Sequence, residues 1–240
     1  MNIHGIKYLF SQNYIKPRII PSVMGSKSQL LTFWRTLGLE EQLLQAFAEI
    51  PREQFVLPHL KRHAYDDHAL PTMRKQSISQ PTTVMIMLKA LEIKKGDQVF
   101  ELGAGVGYQA ALLSRLVGGK GKVVSTEIIP ELVQGARQNL DYLQLQNILI
   151  LEADGSEGHP SEAPYDKIII TAACPAIPQP LIDQLKEGGI IIAPVGDFES
   201  QILVKGIKTK TGLDLEFLGQ FAFVPLKGKY GFKEIDQFQR

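Results

Sequence analysis

The spacing of apolar residues changes character near residue 96 of this chain. Upstream, Leu39, Leu43, Phe47 and Ile50 recur three or four apart, the period of one helix face. They predict a helix over 40–50 that Pro51 stops. A helix is also predicted over 28–37, and another over Pro81–Leu91, with proline in the first turn where its missing N–H is harmless. Downstream, short apolar runs alternate with helical stretches. Strands are predicted at Gln98–Leu102, Lys122–Glu127, 147–152, 166–171 and 189–194. Helices fall between them near 108–116, 130–143 and 179–185. Five strands with helical crossovers imply an α/β fold with a doubly wound, mostly parallel sheet. Runs at 201–208 and 213–226 read as further strands closing one sheet edge. Residues 1 to about 25 lack a period and contain Pro17 and Pro21. They read as an extension draped over the body or mobile. The expected organisation is an extension and helices packed on the core over 1–75, followed by a core with C-terminal strands over 76–240.

Composition narrows the class. With 240 residues, 44% hydrophobic and 21% charged, the chain can bury a full core as one compact unit. The 26 basic residues nearly balance 25 acidic ones, for a net charge of +1. That balance supplies no global field for nucleic acid or an anionic membrane. One cysteine, Cys174, excludes an intramolecular disulfide and fits a reducing compartment. No apolar run reaches membrane-spanning length, and no secretory h-region is visible. A cytoplasmic monomer, without nucleic-acid or membrane partners, is the expectation.

The most informative segment is Val99-Phe100-Glu101-Leu102-Gly103-Ala104-Gly105-Val106-Gly107-Tyr108. It reads as a buried strand ending near an acid, a turn on Gly103, Gly105 and Gly107, then a helix. Glycine there lets backbone N–H groups approach a nucleoside-bearing ligand. The spacing is G-x-G-x-G, whereas the dinucleotide fingerprint puts its third glycine one residue later. Glu101 would repel a pyrophosphate. It suits a cationic ligand such as the sulfonium and amino group of S-adenosylmethionine. A methyltransferase, a nucleotide binder and a bare strand–helix turn all remain open on this motif alone.

Two later strands also end in acids. Glu127 closes Ser125-Thr126-Glu127, some twenty residues beyond the glycine turn, where an acid can accept from ribose hydroxyls. A solvated loop acid is the alternative. Asp154-Gly155 follows the third strand. There the acid can accept from an adenine amino group while glycine lets the chain turn beneath the ring, although acids before glycine also occur in ordinary turns. Glu101, Glu127 and Asp154 together mark the carboxyl edge where open α/β sheets bind ligands.

With these residues in place, the chain resembles the protein-L-isoaspartate O-methyltransferase family. The resemblance runs over roughly 30–230. It includes Ile50-Pro51-Arg52-Glu53-Gln54-Phe55-Val56, Gln76-Ser77-Ile78-Ser79-Gln80-Pro81, Glu131-Leu132 and Ala153-Asp154-Gly155. It continues through Ala163-Pro164-Tyr165-Asp166, Thr171-Ala172-Ala173, the segment from Pro180 to Gly189, Pro194-Val195-Gly196 and Phe223-Val224-Pro225-Leu226. The Ser-Ile-Ser-Gln-Pro segment is the most family-specific. The resemblance implies a Rossmann-like, S-adenosylmethionine-dependent methyltransferase sheet with an N-terminal helical extension. It implies methyl transfer to the α-carboxylate of L-isoaspartyl residues in damaged proteins or peptides, and repair through a succinimide. By the same resemblance Ser79 matches the active-site hydroxyl, and Gln76, Ser77, Ile78 and Ser79 line the cofactor and substrate pocket. Thr82 and Thr83 open the next helix near the site. No metal is implied.

The chain departs from the family at Leu70-Pro71-Thr72-Met73-Arg74-Lys75, where the family usually carries glycines. Arg74 and Lys75 either anchor an acidic substrate or are solvated loop residues. The departure leaves room for a carboxyl methyltransferase with another substrate, or for a non-catalytic, cofactor-bound interaction module. Other features are read plainly. His59, His63 and His68 superficially resemble metal-ligand spacing but lack a nearby cysteine, and surface or core histidines are expected. Cys174 has no activating base near it in sequence and reads as a buried or pocket-wall residue. Lys205, Lys208 and Lys210 read as a solvated face.

Overall fold

The computed structural model describes residues 25–233. The expectations for residues 1–24 lie outside the described residues. Helix α1 spans Lys27–Thr36, capped by Ser26, whose hydroxyl accepts from the Gln29 N–H. Helix α2 spans Glu41–Glu49 and ends before Pro51. A two-stranded antiparallel pair, β1 (Leu70–Pro71) and β2 (Ser77–Ile78), brackets the loop that carries Arg74 and Lys75. Helix α3 spans Pro81–Leu91.

A seven-stranded sheet forms the body. Its strands are β3 (Gln98–Leu102), β4 (Lys122–Glu127), β5 (Ile148–Glu152), β6 (Tyr165–Ile170), β7 (Leu185–Gly196), β8 (Gln201–Thr209) and β9 (Gly212–Phe221). The order is β5-β4-β3-β6-β7-β8-β9. The first five are parallel, while β8 and β9 are antiparallel additions. Helices α4 (Tyr108–Val117), α5 (Pro130–Tyr142) and α6 (Gln179–Gln184) make the crossovers. The strand order reverses at β3, with β4 on one side and β6 on the other. A crevice therefore opens at the carboxyl end of β3.

Two apolar layers sandwich the sheet. One holds Trp34, Phe47, Leu88, Leu112, Ile169 and Ile192 in a single cluster, so α1 and α2 share the sheet's own core. Trp34 meets Phe47 edge-on at 4.6 Å, and its indole N–H donates to Thr82 Oγ1 at 2.9 Å. The N-terminal helices thereby reach the start of α3. The other layer holds Phe100, Tyr165, Ile168 and Leu181.

One predicted strand needs correction. The run expected over 213–226 leaves the sheet after Phe221. The Ala173 N–H donates to Val224 O and the Leu226 N–H donates to Ala173 O, both at 2.8 Å. These bonds draw the C-terminal segment across the carboxyl edge of β6.

Candidate active site

The glycine turn shapes the floor of the crevice. Gly107 has φ +88 and caps α4, and a Cβ there would lie 3.2 Å from Ala136. Glycine thus serves both the left-handed backbone and the close approach of α5. At Gly105 a Cβ would meet no atom within 4 Å, so this stretch of backbone borders open space.

That space is a cleft of about 850 Å³, counting its open mouth. Gln76, Ser77, Ile78, Ser79, Glu101, Gly103, Gly105, Glu127 and Gly155 line it, so nine of the candidate residues come together. Gly107 and Asp154 are not among the lining residues. Thr82 and Thr83 also stand away from the wall. Asp67 accepts from the Thr82 N–H at 2.8 Å and from its hydroxyl at 2.6 Å, which caps α3 instead.

Each acid is held differently. Glu127 is nearly buried. Its Oε2 accepts from the Gly105 N–H at 2.9 Å, and its Oε1 accepts from Ile128 and Ile129 N–H groups at 2.9 and 3.0 Å. Glu101 is fully buried. Its Oε2 accepts from the Ser125 hydroxyl at 2.5 Å, while Oε1 has no hydrogen-bond partner among the described residues. Burial pushes its carboxyl up to about 8; the Ser125 hydrogen bond opposes this and the Glu127 charge adds to it. Gln109 Nε2, on a further lining residue, is likewise buried without a partner among the described residues, whereas the buried Tyr108 hydroxyl is within the influence of the Arg52 guanidinium. Buried polar groups are ordinarily satisfied. Unpartnered polar atoms on Glu101 and Gln109, two residues of one cleft, are what a polar ligand would complete.

Asp154 turns its carboxylate to the protein itself. Oδ1 accepts from Ser156 N–H and Oγ at 2.9 and 2.7 Å, and Oδ2 accepts from the Lys229 N–H at 2.7 Å. A Cβ at Gly228 would sit 2.2 Å from Asp154 Oδ1. Glycine lets the C-terminal segment pass over this acid.

The segment 76–79 is anchored from below. Ile78 is buried and pairs with Leu70. The fully buried Arg52 donates through Nη2 to Ser79 O at 2.7 Å. At the lip, Arg74 and Lys75 both have φ +57, the left-handed region where glycine is at ease. The backbone keeps a glycine-type turn without glycine. Arg74 forms an ion pair with Glu131 in the first turn of α5. Its charge is engaged within the protein.

Sequence reasoning missed much of the opposite wall. Val224, Pro225, Leu226 and Lys227 line the cleft from the C-terminal return, as do Thr171 and Ala172 beyond β6. An apolar strand pattern running into Pro225 gave no sign of the return. The Pro225 ring itself, unable to donate to a ladder, was the available signal. Cys174 is buried outside the cleft, with its thiol pushed up to about 12 by burial. His59 and His63 lie on a 3-10 turn rather than an α-helix, and His63 Nδ1 lies 2.7 Å from Asp66 Oδ2. Among the described residues no group of three His, Cys, Asp or Glu side chains is arranged to hold a metal ion.

The comparisons agree with one another. Residues 25–231 match the family described as Protein-L-isoaspartate(D-aspartate) O-methyltransferase. A Protein-L-isoaspartate O-methyltransferase of Methanoculleus marisnigri is 47% identical over 194 residues, covering 81% of this chain and 87% of that protein. One from Pyrococcus abyssi is 43% identical over 195 residues, covering 80% and 89%. A solved structure of a protein-L-isoaspartate O-methyltransferase superposes with a TM-score of 0.79 at 30% identity, over 86% of this chain and 67% of that one. A Plasmodium falciparum structure in complex with S-adenosyl-L-homocysteine has the same fold, with a TM-score of 0.73 at 22% identity over 85% of this chain and 99% of that one. The chain belongs to the protein-L-isoaspartate(D-aspartate) O-methyltransferase family.

Proposed function

We propose that this cleft carries out the family's reaction, methyl transfer from S-adenosylmethionine to the α-carboxylate of L-isoaspartyl residues in damaged proteins or peptides. One observation carries the reading. The 76–79 segment and the acids Glu101 and Glu127, distant in sequence, line the same crevice at the carboxyl edge of the sheet.

The residues present fit the cofactor. Glu101 offers an unpartnered buried carboxyl oxygen to a cation, and the open space beside Gly105 accommodates a ligand against bare backbone. Glu127 is the ribose acceptor in this reading. Gly103, Gly105 and Gly155 admit the nucleoside, and Gln76, Ser77 and Ile78 close over it. Asp154 and Gly107 support the site by holding the C-terminal return and α5. The bound cofactor supplies an electrophilic methyl group. The protein's task is to align the incoming carboxylate with that group and exclude water. The carboxylate is already ionised near pH 7 and needs no strong base, so a site without a catalytic histidine suffices. Ser79 is the residue that orients it. The backbone nitrogen of the isoaspartyl linkage then attacks the methyl ester and expels methanol, and water opens the resulting succinimide partly to normal aspartate.

The partner is an isoaspartyl-containing protein or peptide. We infer action as a monomer in the cytoplasm, without nucleic-acid or membrane partners. The near-zero net charge supports the absence of nucleic-acid and membrane partners, and the single buried cysteine supports a reducing compartment. Among the described residues no helix is long and apolar enough to cross a membrane. Methylation of an isoaspartyl peptide beside its aspartyl twin tests the reading. Activity on both alike, or on neither, contradicts it.

A further inference from the structure

We propose that Arg52 is a positioning residue for methyl transfer, fixing the backbone of Ser79 from within the core. The inference rests on Ser79 acting in the cleft. Arg52 is fully buried and forms no ion pair among the described residues. Its Nε donates to Ala64 O at 2.8 Å and its Nη2 to Ser79 O at 2.7 Å. Its guanidinium carbon stands 4.9 Å from the centroid of the Tyr108 ring. Nη1 has no hydrogen-bond partner among the described residues.

A buried cation that makes no direct ion pair is costly, and an apolar side chain of similar volume would fill the same space more cheaply. Packing alone does not account for arginine here. Its contacts do. Ser79 belongs to the segment that closes the cleft, and Tyr108 follows the glycine turn that forms its floor; both line the cleft. Arg52 does not line it. The planar fork therefore registers two walls against each other from behind. Burial lowers the guanidinium's pKa, opposed by Tyr108 and Asp67. Lysine keeps the charge but has neither the fork nor the flat face that stacks on a ring.

Four proteins test this: wild type, Arg52→Lys, Ser79→Ala and the double variant. For each, kcat and KM are measured with an isoaspartyl peptide, S-adenosylhomocysteine affinity by calorimetry, and Tm by scanning. Arg52→Lys should lower kcat by about tenfold or more. Peptide KM and S-adenosylhomocysteine affinity should stay within about threefold. In the Ser79→Ala background the lysine should add less than about twofold, because both changes act through one residue. Wild-type kcat in Arg52→Lys overturns the inference. So does full activity in Ser79→Ala, or losses that multiply in the double variant. An Arg52→Lys protein that fails to fold or to bind S-adenosylhomocysteine also overturns it, making Arg52 a folding residue. An inactive wild type would instead overturn the proposed function.

Discussion

Glu127 reaches across 22 residues to accept the Gly105 N–H at 2.9 Å, which ties the end of β4 to the glycine turn after β3. Its other oxygen takes the Ile128 and Ile129 N–H groups. Three of roughly four acceptor positions on the carboxylate are thus used within the protein, leaving about one for a ribose hydroxyl. Glu127→Ala should weaken S-adenosylhomocysteine binding by about 1.5–3 kcal/mol. It should also lower Tm, because three backbone donors lose their acceptor. Calorimetry with unchanged affinity would remove Glu127 from the cofactor site.

Glu101 makes binding depend on pH. With its carboxyl at about 8, the ligand-free protein holds this proton at neutral pH. A cationic ligand beside it favours the carboxylate and expels the proton. Titrations at pH 7 in two buffers of different ionisation enthalpy should detect release of up to one proton per site, and heats that do not depend on the buffer contradict the assignment. Stability follows the same linkage. The folded carboxyl keeps its proton up to about 8, whereas the ordinary value of a solvated glutamate, as in the unfolded chain, is 4.5. Between these values the folded state binds more protons than the unfolded one, so ligand-free stability falls as pH rises through this window. Glu101→Gln should flatten that fall and raise Tm at pH 8. An unchanged pH dependence of Tm would rule out the buried proton.

Asp154 holds the C-terminal return through Ser156 and Lys229. Its replacement by alanine removes a cap and leaves the Lys229 N–H unpaired. The expected cost is about 1–2 kcal/mol of stability. Because Val224 to Lys227 wall the cleft, cofactor affinity should fall with it, but less than in Glu127→Ala. The reverse ranking of the two variants would point to direct contact between Asp154 and the ligand.

The ion pair of Arg74 with Glu131 joins the lip to the helix that follows Ile128 and Ile129, so it links two walls of the cleft. Both partners are solvent-exposed, and the pair should matter more for opening than for global stability. Arg74→Gly also relieves a left-handed backbone at a non-glycine residue. Tm should change little. Release of S-adenosylhomocysteine should speed up several-fold in stopped-flow traces, and about equally in Glu131→Gln. High salt should reproduce part of the effect in the wild type. Release rates equal to wild type in both variants would show that the pair does not hold the cleft closed.

The strand–helix alternation was legible because fully buried parallel strands such as Ile168–Ile170 and Val123–Thr126 read as continuous apolar or small-residue runs. Glu101 stood out as an acid within such a run just before the glycine turn, and Glu127 as an acid ending the next run. Asp154 is likewise an acid just beyond a strand end, yet its carboxylate accepts from a backbone N–H 75 residues away. No local spacing records that closure. The end of β9 was misread for a related reason. Residues 222–226 are a continuous apolar run like a buried strand, but Ala173, in the loop after β6, takes their hydrogen bonds. Arg52 was visible only as part of a motif, since its partners lie 12 and 27 residues onward in the chain.

The most direct measurement is the rate of methyl transfer from S-adenosylmethionine to a peptide containing one L-isoaspartyl residue, beside the same peptide with normal aspartate. The account predicts turnover of the isoaspartyl peptide alone, reduced about tenfold or more in Ser79→Ala while S-adenosylhomocysteine affinity is largely retained. Equal methylation of both peptides, or none of either by a protein that binds the cofactor, would contradict it.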